Sequence, residues 1–240
     1  MKRILALSLT LLAAASGSAR AQDVWGWSVL VPSYTQTDIL GTALRESTER
    51  PAASARPVAP SPAASPANLR FAPSPERRRA NFARFLAERR GQDAASLKQA
   101  EALLARPDLM ARIDAELGRY GLRADNVADA YAIWWITLWQ TANGRTEDPG
   151  AKPAQAVKAQ VERALLATPG LATADDAAKQ AFAEGLLVQA MFLDAALQQS
   201  KADPAALRTL GAAARRNAGA TGVLVDGVTL SDQGFTTVRG

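Results

Sequence analysis

YAIWWITLWQ, residues 131–140, places four large aromatics in ten positions of a chain whose aromatic content is 6%. How this stretch is read decides the fold, because a membrane span, a ligand platform, a partner surface and a buried helix each imply a different protein. The uncharged run around it extends only from Ala130 to Gly144, 15 positions that include Gln140, Thr141 and Asn143. A span needs about 20 mostly apolar residues, so this is not a membrane helix. At helical spacing Val127, Tyr131, Trp134 and Leu138 share one face, while Trp135 and Trp139 share another. A helix that is apolar nearly all round belongs at the centre of a bundle. A ligand platform would instead leave one aromatic face open, and every buried indole nitrogen would need an acceptor.

Working outward, the sequence from Asn68 is rich in Ala, Leu, Arg, Gln and Glu, with proline and glycine where helices begin and end. Ser74-Pro75-Glu76 reads as a cap with proline at the first helical position, Phe82, Phe85 and Leu86 line one face, and Gly91 closes that helix. A second helix runs from about Asp93 to Ala105, and a third from Pro107 carries Leu109, Met110, Ile113, Leu117 and Tyr120 to a stop at Gly121. Asp125 is the expected cap of the aromatic fourth helix. Pro153 opens a fifth with Val157, Val161 and Leu165 inward. Thr173-Ala174-Asp175-Asp176 resembles a capping box before a long sixth helix to about Lys201, and Asp203-Pro204 caps a seventh. The tail GVLVDGVTLSDQGFTTVRG is rich in Val, Thr and Gly, suited to a short strand or to packing over the bundle.

Upstream the chain changes character. MKRILALSLTLLAAASGSARA, residues 1–21, has Lys2 and Arg3, an apolar run from Ile4 to Ala15, and a small-x-small site at Ala19-Arg20-Ala21. These are the three parts of a signal peptide, so the mature chain is expected to begin at Gln22 in a periplasmic or extracellular compartment. Residues 22–50 carry Trp25, Trp27, Val29 and Val31 on alternate positions, which is strand periodicity. Such a strand could pair with the tail between Val223 and Leu230. PAASARPVAPSPAASPA, residues 51–67, holds five prolines in 17 positions. It opens a Pro/Ala linker over residues 51–69 that cannot build a core. The expectation is therefore all-α: a single bundle of about six or seven helices over residues 70–222, with an N-terminal extended segment, the linker, and a tail over 223–240.

Composition excludes much chemistry. The chain has no cysteine and no histidine. That removes disulfides, Ser-His-Asp and Cys-His catalysis, and nearly every zinc, copper or haem site. No glycine-rich phosphate loop or Asp-rich calcium loop is present, and neither a metal nor a cofactor is expected. The formal charge of +5 falls to +2 without Lys2, Arg3 and Arg20, leaving 25 basic against 23 acidic residues. Nucleic acid is a poor partner for so balanced a surface.

Paired carboxylates remain. A glycan hydrolase needs two flanking a cleft, about 5 to 10 Å apart. Asp125 and Asp129 are the pair nearest the aromatic segment, but a cap and a first-turn residue explain both positions without catalysis. Glu162 and Glu184 read as solvated residues on otherwise apolar helices, and the basic stretch ERRRANFARFLAERR, with six arginines against two glutamates, as the outer face of the first helix. Trp25 and Trp27 stand ahead of the linker. Unless they pack back on the helices they form an apolar patch of the kind a partner covers. Trp135 and Trp139 are the other aromatic candidates for binding.

YGLRADNVADAYAIWWITLWQTANG, residues 120–144, resembles the pattern of an uncharacterised family of exported bacterial proteins defined as a domain of unknown function. The likeness extends to FAPSPERRRANFARF, RALLATPG and VWGWSVLVP. It implies an exported helical protein in bacteria and carries no activity or catalytic residue with it. The expected role is a non-catalytic module that binds a protein, peptide or glycan in the envelope. The alternative is a carboxylate-dependent enzyme acting on cell-wall glycan.

Overall fold

The structure, a computed structural model, describes residues 69–89, 94–167 and 170–238. The signal sequence, Trp25, Trp27, the proline-rich stretch to Ala67 and the proposed terminal strand pairing all lie outside these residues. The described residues form seven helices and one two-stranded sheet. In chain order they are α1 (Pro75–Ala87), α2 (Ala94–Leu104), α3 (Leu109–Gly118), α4 (Val127–Ala142), α5 (Ala151–Ala167), α6 (Asp176–Ser200), α7 (Pro204–Thr221), β1 (Val228–Ser231) and β2 (Gly234–Thr237). The expected helical bundle is present, and the sheet is an addition to it.

Local chemistry sets most of the boundaries. Ser74, Asp175 and Asp203 each cap a helix by accepting from main-chain N–H groups of the first turn, and Pro75 and Pro204 follow two of these caps. The cap of α4 is a correction to the sequence reading. Asn126, not Asp125, accepts from the N–H groups of Ala128 and Asp129. Asp125 is drawn away by two arginines, Arg70 and Arg123.

Every residue of α4 is buried except Trp139, which is half-buried. The helix is packed by α5, α6 and α7. Its two buried threonines are satisfied locally, since Thr137 and Thr141 donate their hydroxyls to the carbonyls four residues back. Tyr131 meets Trp134 edge-on at 5.1 Å and stacks with Phe182 of α6 at 6.2 Å. Phe85 of α1 stacks with Phe192 of α6 at 6.0 Å, which fixes the first helix on the long one. No described helix is long and apolar enough to cross a membrane.

The tail does not trail over the surface. Val228 pairs with Thr237 and Ser231 with Gly234 in an antiparallel hairpin. Val223, Val225, Val228 and Phe235 all join the same core as the helices. Apolar and polar residues alternate along β1, Val-Thr-Leu-Ser, and Gly234 at φ 87 supplies the backbone that leaves the turn.

Candidate functional site

Three groups of polar and aromatic side chains surround α4. The first lies at its N-terminus. Asp129 is fully buried and accepts from the Arg123 N–H at 2.8 Å, and Lys158 of α5 meets its other oxygen at 2.7 Å. Burial pushes the Asp129 carboxyl above the usual carboxylate range, and Lys158 opposes that. Asp125 sits on the outside of the same turn. Its carboxylate takes Arg123 at 2.8 Å and Arg70 at 2.7 Å, and these guanidiniums, Arg123 foremost, hold it down at about 2. The two carboxylates therefore meet through Arg123. Both have their oxygens committed, and Asp129 has no exposed surface from which to reach a substrate.

The second group joins α1 to α6 and overturns two expectations. Glu184 is not solvated: it is 1% exposed and accepts from Arg78 at 2.8 Å, Asn81 at 2.8 Å and Gln180 at 2.9 Å. The arginines of α1 and of the turn that follows it are not simply an outer face either. Arg78 turns inward to Glu184, Arg77 donates to the Gln180 carboxamide, and Arg89 lies 3.5 Å over the Phe85 ring, where burial lowers its pKa to about 10. Gln180 also holds both main-chain groups of Ser74, accepting from its N–H at 3.0 Å and donating to its carbonyl at 2.8 Å.

The third group is the most elaborate. Trp135, Trp139 and Asn143 recur at four-residue spacing and so share one side of α4. All three donate to the main chain of the tail. Trp135 Nε1 reaches the Leu224 carbonyl at 2.8 Å, Asn143 Nδ2 the Val225 carbonyl at 3.0 Å, and Trp139 Nε1 the Val228 carbonyl at 3.2 Å. From α5, Gln160 accepts from the Phe235 N–H at 2.9 Å and donates to the Phe235 carbonyl at 2.7 Å. The Phe235 ring lies 4.4 Å from Trp135 and 5.7 Å from Trp139, centroid to centroid, and is fully buried. A carboxamide carries the same donor and acceptor as a peptide unit, so Gln160 acts as a neighbouring strand would on the outer edge of β2. Trp139 does half of that for β1. Chemically this is a receptor for a hairpin and the segment that leads into it, read through main-chain groups of Leu224, Val225, Val228 and Phe235 and through one aromatic side chain, and the chain's own tail fills it.

Of the candidates read from the sequence, Asp125 and Asp129 come together at the start of α4. Trp135 and Trp139 come together about 15 Å further along it, at 1.5 Å per residue. Trp25 and Trp27 lie outside the described residues. Sequence reasoning missed Asn143, Gln160 and Phe235. Each had a signal: Asn143 continues the spacing of the two tryptophans, Gln160 interrupts the Val157–Val161 stripe, and Phe235 is the one aromatic of the tail. Trp134 differs from its neighbours, because its buried indole N–H has no hydrogen-bond partner among the described residues. At the far end of α4, Gln140, Glu147, Asp194 and Gln198 border a cavity of about 10 Å³, room for one water. Among the described residues no group of three acidic side chains could hold a metal.

No curated protein and no solved structure matches the chain. A family of unknown function, DUF6683, matches residues 1–238, and the chain belongs to that family.

Proposed function

We propose that the chain is an exported, non-catalytic binding module of the bacterial envelope that engages a protein, peptide or glycan. One observation carries this reading: the chemistry-bearing side chains of the helical body are spent on the body itself. Asp125, Asp129 and Glu184 are each held by two or three donors. The Trp135 and Trp139 face of α4 is closed by the tail and the Tyr131 face by α6, and among the described residues Val238 is the one exposed large hydrophobic residue. In this reading Trp25 and Trp27, which lie outside the described residues, meet the partner, and tryptophan is among the residues most enriched where binding energy concentrates. The enzyme alternative loses its support, since a glycan hydrolase acts through carboxylates open to a cleft and Asp129 is sealed behind Lys158.

Two measurements test the reading. Fractionation with N-terminal sequencing should recover a chain starting at Gln22 in the envelope or medium, and a full-length chain confined to the cytoplasm would refute export. Crosslinking in intact cells should give a specific adduct that Trp25→Ala/Trp27→Ala loses. Adducts unchanged by that double substitution would remove the tryptophan segment from the interface.

A further inference from the structure

The receptor on α4 and α5 holds the tail without any covalent tie, and its contacts with it are of two kinds. Four side chains, Trp135, Trp139, Asn143 and Gln160, bind tail main-chain groups. One aromatic ring, Phe235, is wedged between two indoles. The tail is a self-contained unit, because β1 pairs with β2 and no other strand of the described residues takes part. It leaves α7 at Gly222, which sits in the left-handed region at φ 67. A glycine there can change its backbone angles at little steric cost, so it is a natural pivot. Released from the receptor, the tail would expose Val223, Val225, Val228 and Phe235, all now buried. Such a segment needs a receptor, and an identical one exists on every other copy.

We infer that this receptor also accepts Val223–Val238 from a second copy, so that the chain forms dimers by exchanging C-terminal hairpins about Gly222. Every bond of the closed monomer is remade between chains, which makes exchange an inexpensive route to a dimer. The tether gives the resident tail an effective concentration on the order of millimolar, so the dimer is populated when the chain is concentrated or refolded at high concentration, and it returns slowly to monomer on dilution. This inference is independent of Trp25 and Trp27 and survives their failure as a binding segment.

The test is complementation between full mature chains. Gln160→Ala impairs the receptor and leaves the tail intact, whereas Phe235→Ala impairs the tail and leaves the receptor intact. Each variant alone loses the same contact in its closed monomer and in its exchanged dimer, so its dimer fraction, by light scattering after size exclusion at high concentration, should stay within about twofold of the parent's. Refolded together they should form the heterodimer in preference to either homodimer, because one intact tail then fills one intact receptor while both defects fall in the other contact, detected by energy transfer between differently labelled chains. Helical circular dichroism shows which variants fold. If either does not, Gln160→Met and Phe235→Leu replace them in the same mixing. A parent chain that stays monomeric under all these conditions overturns the inference. So does a mixture in which the heterodimer forms no more often than either homodimer, which would place the contact on another surface.

Discussion

Gln160 satisfies both main-chain groups of Phe235, accepting from its N–H and donating to its carbonyl, with both residues buried. The fit leaves no room beside it: a Cβ on Gly234 would collide with the Gln160 carboxamide oxygen. Phe235→Ala removes the ring between Trp135 and Trp139 and should cost about 3–5 kcal/mol. Gln160→Ala keeps the ring but strands a buried N–H and a buried carbonyl, at about 1–3 kcal/mol each. Because both substitutions release the same hairpin, the double variant should cost less than their sum. Urea unfolding followed by tryptophan fluorescence measures all three, and strict additivity would mean that the two residues do not act as one anchor.

Lys158 is the partner that lets Asp129 stay charged under α4. Lys158→Met should cost about 3 kcal/mol near neutral pH, because it leaves a carboxylate buried without its cation. Burial raises the folded pKa of Asp129 above the unfolded value. A folded state that holds the proton more tightly is favoured in acid, so its advantage is complete below the unfolded pKa and lost as pH rises through the folded one. Removing Lys158 raises the folded pKa further, so the defect should grow with pH and shrink below about pH 4. Asp125 runs the opposite way. Arg123 and Arg70 hold it down at about 2, so its contribution is complete above about pH 4 and lost as pH falls towards 2. Melting curves between pH 2 and 8 should show Asp125→Asn flattening the acid limb and Lys158→Met steepening the neutral one. A Lys158→Met penalty that does not change with pH would exclude a buried charged Asp129.

The difference between these two aspartates marks how far the sequence could be read. The burial of α4 was legible because its aromatic and aliphatic residues cover nearly every face of a 3.6-residue period, and the caps at Ser74 and Asp203 were legible because capping is local, whereas the box read at Thr173–Asp176 put the cap at Thr173 and the structure puts it at Asp175. Asp125 and Asn126 are adjacent and both good caps. Which one caps was decided by Arg70, 55 residues away. The same limit hid the receptor. A glutamine on an apolar stripe and a phenylalanine in a Val/Thr-rich tail are visible singly, but their meeting joins positions 75 residues apart. Periodicity says which face of a helix is covered, not which segment covers it.

Glu184 makes a prediction about local stability. Its carboxylate is buried in α6, and two of its three donors, Arg78 and Asn81, come from α1. Arg78→Met should cost about 3 kcal/mol, and Arg78→Met/Glu184→Met should recover much of it, because the pair is then replaced by apolar side chains of similar length. The loss should concentrate where the bond was. Hydrogen exchange should quicken through Pro75–Ala87 and remain slow through Val127–Ala142, since elements bound mainly at the edge open separately from the core. Equal acceleration in both helices would mean that α1 and α4 unfold as one unit.

Two helical glycines should respond to the same substitution with opposite signs. Gly185 lies inside α6, and a Cβ there meets nothing within 4 Å. Gly185→Ala therefore gains helix propensity without a clash, about 0.5–1 kcal/mol of added stability. Gly211 lies inside α7 and would gain as much locally. A Cβ there, however, comes 3.0 Å from the Ala142 carbonyl oxygen and 3.4 Å from that of Thr141, which is main chain that cannot rotate away. Close approach of α7 to the last turn of α4 depends on this missing methyl, and that turn carries Asn143 and its bond to the tail. Gly211→Ala should thus cost about 1–3 kcal/mol, the range for overpacking a well-filled contact. Thermal melts of the two variants side by side decide it. Stabilisation by Gly211→Ala would show that α7 can move off α4 freely, and the glycine would then have no packing role.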